Sequence, residues 1–263
     1  HEPSDHDSVH DALQSVINGL TAQANAPLMC LGIGISAVVD SSTGIIDFYG
    51  PLDWHAYPLA ELLSEQYDLP VVVANSTELA TLAQTAFGHI EPDLATVFVG
   101  TNVGVGLAME QGVFHIGTEI GHMMLGDNRL ESAMGWASVR RRAWELGESH
   151  ASPYLTDSDL LYLHIRKALA NHDPAALILQ DELSGHLAQI FAWIIGLLRP
   201  DTICLAGPIA NLGDEFLSFT IAQTRSLVLS SLVDRTGFLV DPTQNLVQLG
   251  AAARAVRHEL GLV

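Results

Sequence analysis

LPVVVANSTE, residues 69–78, reads as a buried strand that runs directly into a helix. The β-branched run Val71-Val72-Val73 suits a strand covered on both faces, as in parallel sheets. Asn75, Ser76 and Thr77 are residue types that favour helix N-termini, and an apolar helical pattern continues through Phe87 to a stop at Gly88. In open α/β sheets, ligands sit at the carboxyl ends of strands, where the free N–H groups of the following helix point outward. An asparagine at that place donates and accepts at once, which suits a polyhydroxyl ligand. Equally, Asn75 or Ser76 does no more than cap the helix.

Working outward, residues 5–24 carry helical spacing behind Ser4 as N-cap, and residues 28–35 form an apolar run interrupted by glycines. Residues 45–49 suggest a strand and residues 58–67 an amphipathic helix. Downstream, residues 95–99 and 103–109 pair naturally as a hairpin. Helices are predicted over 131–146, 157–170, 174–198 and 214–229, with a strand at 201–206, another near Leu246, and a closing helix over 251–260. This alternation gives an α/β class with parallel strands. At 263 residues the chain can form two lobes around a shared cleft, with the boundary near Asp93: a smaller lobe over 1–93 and a larger one with oligomerisation helices over 94–263.

Composition narrows the function. Hydrophobic residues make up 48% and charged residues 16%, which supports a substantial core. Eleven basic residues against 30 acidic ones leave a net charge of −19, a surface that repels phosphate backbones and anionic membranes. The apolar run at 190–198 is too short to span a bilayer. Cys30 and Cys204 lie in the apolar runs PLMCLGIG and TICLAGP, which argues against a disulfide framework or a cysteine zinc site. With no signal peptide in view, a cytoplasmic location is expected. The chain starts at His1, so an upstream segment is also expected.

Two further segments could carry chemistry. GTNVGVG, with Gly100, Thr101, Gly104 and Gly106, could cradle a phosphate through its backbone N–H groups, or simply form a tight hairpin turn. GTEIGH places the Glu119 carboxylate and the His122 imidazole three residues apart, which suits vicinal hydroxyls. His122 has no second histidine or cysteine at ligand spacing, so no metal is assigned there. Asp5-His6-Asp7 with His10 reads as a solvated helix face, Arg140 to Arg142 as an exposed or acid-paired run, and Trp193 as core.

Taken together and in order, these segments resemble the ROK family of sugar kinases and sugar-responsive repressors. LGIGISAVVDSSTGII is similar to the family's GI-x-x-PG-P-V-D-x-x-x-G segment: Asp40 and Gly44 match, while Ser36 and Ala37 replace Pro-Gly. Trp54, PLAELL and LPVVVANSTE resemble W-x-x-x-P-L-x-x-L leading to P-V-x-x-x-N-D-A-N. GTNVGVG is similar to GTGIGAG, GTEIGHMMLG to G-E-I-G-H-M, Arg129 to Ser132 to the end of the zinc loop, and LAGPIANLGDEF to the late GG-x-x-x-x-x-G-D turn. The resemblance implies an actin-like ATPase fold whose N-terminal strands are truncated here. It implies a sugar-binding set of Asn75, Glu119, His122 and Glu131, and a vestigial phosphate loop at Gly100, Thr101, Gly104 and Gly106.

The departures from the family pattern set the functional expectation. Where family kinases carry the aspartate that takes the proton from the sugar hydroxyl, this chain has Ser76, whose hydroxyl cannot accept it at neutral pH. Glu78, two residues further along the helix, is expected to point elsewhere. The family's first phosphate loop, D-x-G-x-T, is absent, and so are its zinc cysteines. The expectation is therefore a catalytically inactive, cofactor-free effector-binding and oligomerisation region of a ROK-type repressor. Its inducer would be a sugar or sugar phosphate. It would reach DNA through an upstream domain, assemble as a homodimer or homotetramer, and make no membrane contact. The alternatives are an ATP-dependent hexose kinase of the same family and a ligand-free structural module.

Overall fold

The computed structural model describes residues 6–88, 90–91, 93–109, 116–156 and 158–262. Ser4 and Asp5 lie outside the described residues, as do the side chains of His6, Asp7 and His10. The chain begins with helix α1 (His6–Gln23), strand β1 (Leu31–Ile35), strands β2 (Val38–Asp40), β3 (Ile45–Tyr49) and β4 (Trp54–Tyr57), helix α2 (Leu59–Tyr67), strand β5 (Val71–Asn75) and helix α3 (Ser76–Ala86). β1 and β5 pair in parallel, Leu31 opposite Val71 through Ile35 opposite Asn75, while β2, β3 and β4 form an antiparallel sheet. Ile17, Ile46, Trp54, Leu59, Leu63 and Val73 share one buried core.

The chain continues through β6 (Leu94–Val99), β7 (Val103–Ala108), β8 (Ile116–Thr118), the two-residue strands β9 (Met124–Leu125) and β10 (Asn128–Arg129), and helices α4 (Leu130–Met134), α5 (Trp136–His150), α6 (Leu161–Ala170) and α7 (Pro174–Leu197). It closes with β11 (Thr202–Ala206), α8 (Gly213–Thr224), α9 (Ser230–Val233), β12 (Gly237–Asp241) and α10 (Leu246–Glu259). A five-stranded sheet runs in the order β12-β11-β6-β7-β8. β12, β11 and β6 are parallel, whereas β6, β7 and β8 are antiparallel neighbours. A large core gathers around α7, whose Leu179, Leu183, Leu187, Phe191 and Ile195 are buried. Asp173 caps that helix by accepting from the Ala176 N–H at 3.0 Å, and Pro174 occupies its first turn, where no N–H is required.

α10 returns from the C-terminal part of the chain to pack on α3 and β1: Leu246 joins Ala80 and Ala83 in one cluster, and Ala251 joins Ala74 and Leu79 in another. α3 is therefore covered on several sides, with Leu79, Ala80, Leu82 and Ala83 all buried. β7 presses on it too, and its glycines permit the approach. A Cβ on Gly104 would lie 2.4 Å from Thr77 Cγ2, and one on Gly106 would lie 2.4 Å from the Thr77 carbonyl oxygen.

The structure corrects five expectations. The sheets are mixed rather than built of parallel strands apart from the expected β6–β7 hairpin, because β2–β4 and β7–β8 are also antiparallel neighbours. The helix expected over 131–146 is split at Gly135, which sits extended (φ −61°, ψ 147°) where a Cβ would meet the Thr101 carbonyl at 2.8 Å. The helix expected over 214–229 ends at Thr224. The strand expected near Leu246 is the first turn of α10, and the true strand, β12, precedes it at Gly237–Asp241. A short apolar run does not by itself distinguish strand from helix. Here Leu246 and Ala251 find their partners on α3, β5 and β11. Finally, α3 stops at Ala86, with the Phe87 N–H bonded to the Ala83 carbonyl at 2.8 Å, and Gly88 does not take the left-handed conformation of a glycine C-cap.

Candidate ligand-binding site

A cavity of about 170 Å³ opens where the start of α3, the β6–β7 turn and the first turn of α4 converge. Asn75, Ser76, Thr101, Glu119 and Glu131 all line it. Residues from six separate stretches of sequence thus meet at the carboxyl end of β5, as the strand-to-helix pattern predicts.

One wall is the N-terminus of α3. Asn75 is its N-cap: the side-chain oxygen accepts from the Thr77 N–H at 2.8 Å and the Thr77 hydroxyl at 2.5 Å. The Asn75 amide nitrogen donates to the Ala37 carbonyl at 2.9 Å. The capping reading of Asn75 therefore holds, and little of its polar capacity is left for a ligand. The Ser76 hydroxyl lies 3.4 Å from that of Ser36. Glu78 turns away from the cavity. Its carboxylate is 2% exposed, accepts from the Ser41 hydroxyl at 2.6 Å, and forms an ion pair with Arg254 Nη1 at 2.9 Å. Arg254 Nη2 donates to the Ser41 carbonyl at 2.6 Å, which ties α10 to the β2–β3 turn. Burial raises the Glu78 pKa, against the lowering influence of Ser41 and Arg254.

The facing wall carries the charge. Glu119 follows β8, and Glu131 sits in the first turn of α4. Gly121 packs so closely between them that a Cβ would come within 3.1 Å of Glu131 Oε2 and 2.6 Å of the Val103 carbonyl. Burial raises the Glu119 pKa; His122 opposes that rise and the Glu131 carboxylate adds to it. Two carboxylates facing one small cavity can accept hydroxyl hydrogens, and an anionic group there is disfavoured.

Of the four residues expected to bind sugar, Asn75, Glu119 and Glu131 share the cavity. His122 does not line it: its ring is 51% exposed, with Nε2 3.5 Å from Glu119 Oε2 and Nδ1 3.4 Å from Arg129 Nη1. Of the glycine loop, Thr101 and Gly104 reach the cavity, while Gly100 packs on Phe98 and Pro208 and Gly106 on α3. The loop is a tight turn, closed by the Gly100 N–H bonded to the Asn102 carbonyl at 3.0 Å, and the Trp136 N–H bonds to the Gly100 carbonyl at 2.8 Å. The cavity also takes in Phe98 and Val247, which no motif signalled. A second cavity of about 300 Å³ shares Phe98 and is lined by Trp136, Tyr162, Gly207, Pro208 and Asn211.

The sequence pattern described as "ROK family" matches residues 2–245. The chain belongs to the ROK family. It is 24% identical to a glucokinase of Halalkalibacterium halodurans over 89% of this chain and 77% of that one. It is 23% identical to the xylose repressor of Bacillus subtilis over 93% of this chain and 66% of that one. Among solved structures, a ROK family transcriptional regulator described as a homologue of the E. coli MLC protein superposes with a TM-score of 0.81 at 21% identity, covering 99% of this chain and 71% of that one. A ROK family glucokinase from Streptomyces griseus, in complex with glucose and AMPPNP, gives 0.78 at 20% identity, covering 95% and 88%. The ROK chain thus has the mixed α/β, actin-like ATPase fold, and its relatives include both kinases and repressors. Among its described residues, no helix is long and apolar enough to cross a membrane.

Proposed function

We propose that this ROK chain is the sugar-sensing, effector-binding and oligomerisation region of a repressor, without kinase activity. The observation that carries this reading is the first turn of α3. Ser76 occupies the position of the family's proton-accepting aspartate, its hydroxyl faces that of Ser36, and the next carboxylate, Glu78, is buried and held by Arg254 and Ser41. A serine hydroxyl there cannot serve as general base at neutral pH. Glu119 and Glu131 remain to accept hydroxyl hydrogens from a sugar, with His122 holding Glu119 from outside the cavity. A ligand lacking the matching hydroxyls would leave these groups unpaired, which gives the site its selectivity. Two lobes dividing near residue 93 would close on the sugar, and the difference in affinity between open and closed forms would set the response of an upstream DNA-binding domain in a dimer or tetramer.

Isothermal titration against a panel of hexoses, pentoses and amino sugars, each with and without phosphate, tests the reading. One member is expected to bind at a single site per chain, and silence across the panel would overturn it. The alternative is an ATP-dependent hexose kinase, favoured by the glucokinase relatives and by the second cavity beside the first. Sugar-dependent ADP release by the full-length natural protein would establish the kinase instead. On the repressor reading there is none, and Ser76→Asp does not create it.

A further inference from the structure

The two cysteines look inert in the sequence, but the fold gives Cys30 company from the far end of the chain. Cys30 immediately precedes β1, and His258 and Glu259 form the last turn of α10, the helix packed on that strand. The packing is close: a Cβ on Gly32 would lie 2.5 Å from the Ala251 carbonyl oxygen. As a result the Cys30 sulfur, a His258 ring nitrogen and a Glu259 carboxylate oxygen all lie within 4.8 Å of one another. His258 Nδ1 is 3.5 Å from Glu259 Oε1, and the Cys30 Sγ makes a long 3.7 Å contact with the Leu31 carbonyl.

We propose that Cys30, His258 and Glu259 form a binding site for a zinc-class divalent cation, separate from the sugar cavity. Bond lengths to zinc of about 2.3 Å for sulfur and about 2.0–2.2 Å for nitrogen and oxygen place tetrahedral ligands about 3.3–3.7 Å apart. The three donors lie within 4.8 Å of one another, so the largest separation must shorten by about an ångström to reach that spacing. Thiolate and imidazole select zinc over magnesium or calcium, which prefer all-oxygen shells. On binding, the Cys30 S–H bond breaks, the sulfur lone pair goes to the metal, and the proton passes to solvent. Thiolate and carboxylate together neutralise the ion. Three protein ligands leave a fourth position for water, and His258 also lines an open surface cavity of about 570 Å³ beside Asp68 and Glu61, so solvent has access. Such a metal would join the entry of β1 to the end of α10, the helix that also buttresses α3 through Leu246 and Ala251.

The test uses the untagged chain, stripped with a chelator and titrated with zinc against a chromophoric competitor, and in parallel loaded with cobalt. One tight equivalent of zinc and a thiolate-to-cobalt absorption band are expected, together with a zinc-dependent rise in melting temperature. Cys30→Ser removes the band. Cys30→Ser and His258→Ala each weaken zinc by at least about 100-fold, above the 10–100-fold typical of changes behind the ligands. Exposed His172→Ala leaves affinity unchanged. His258 is 45% exposed, so its replacement tests the site even if Cys30→Ser folds poorly. Absence of the cobalt–thiolate band, or zinc uptake that survives His258→Ala, would overturn the site.

Discussion

The two walls of the cavity beside α3 are built on opposite plans. The α3 wall is neutral and self-satisfied. Asn75 spends its polar atoms on Thr77 and Ala37, Ser76 meets Ser36, and the carboxylate in the first turn of α3, Glu78, is locked behind the helix by Arg254. The opposite wall is charged and open, with Glu119 partly exposed and Glu131 at the mouth of α4. A wall whose hydrogen bonds are already made positions a ligand by shape. One whose acceptors are still available binds it. The contrast teaches that the residue most prominent in the sequence, Asn75, is chiefly a fastener, and that the acceptors still open to a ligand sit on less regular segments.

Five substitutions break or sharpen that contrast. The largest effect is expected behind the neutral wall. Arg254→Ala strands the buried Glu78 carboxylate and should cost about 3–5 kcal/mol of unfolding free energy in urea. A loss below about 1 kcal/mol would mean that solvent already reaches the pair and that the wall is not locked. Next come the open acceptors. Glu131→Ala and Glu119→Ala each remove a charged hydrogen-bond acceptor, worth about 1.5–3 kcal/mol, so the Kd of the sugar found by titration should rise about 10- to 150-fold. Their unfolding free energies should stay level or increase.

Asn75→Ala should act the other way round. Loss of the N-cap costs about 0.5–2 kcal/mol of stability, and sugar affinity should fall less than for Glu131→Ala. An equal fall in affinity would erase the difference between the walls. The smallest effect concerns pH. Glu119 has a folded-state pKa raised above its ordinary 4.5, so its protonation favours the fold. That contribution is fully present below pH 4.5 and is lost as pH rises through the raised value. Glu119→Gln should therefore be more stable than the natural chain near neutral pH, with the gap closing as pH falls through the raised value and gone below 4.5, as followed by melting temperature. A gap that is constant with pH would remove burial as the cause.

Much of the scaffold was legible in the residues. The strand over 71–75, the hairpin over 94–108 and the long helix from Pro174 all formed where periodicity and capping placed them. Helix ends and short strands were less legible. The break at Gly135 exists because the Thr101 carbonyl approaches it, and the helical state of 246–250 is fixed by α3 alongside it. In the site, the motif resemblance named Asn75, Glu119 and Glu131, and these three line one cavity. It also grouped His122 with them, although that ring faces solvent and supports Glu119 from outside. Phe98 and Val247 carry no chemical signature, so nothing in their types marked them as lining residues.

By itself the sequence determined the class of fold, the strand-to-helix turn at Asn75, and the replacement of an acidic residue by Ser76, because these depend on residue type and local spacing. Only the tertiary structure decided that Asn75 is spoken for, that Glu78 belongs to Arg254, that Gly104 and Gly106 serve helix packing, and that Cys30 meets His258 and Glu259. Each of these facts joins segments far apart along the chain. Distance in space between such segments is set by how whole elements pack, and no local pattern carries that information.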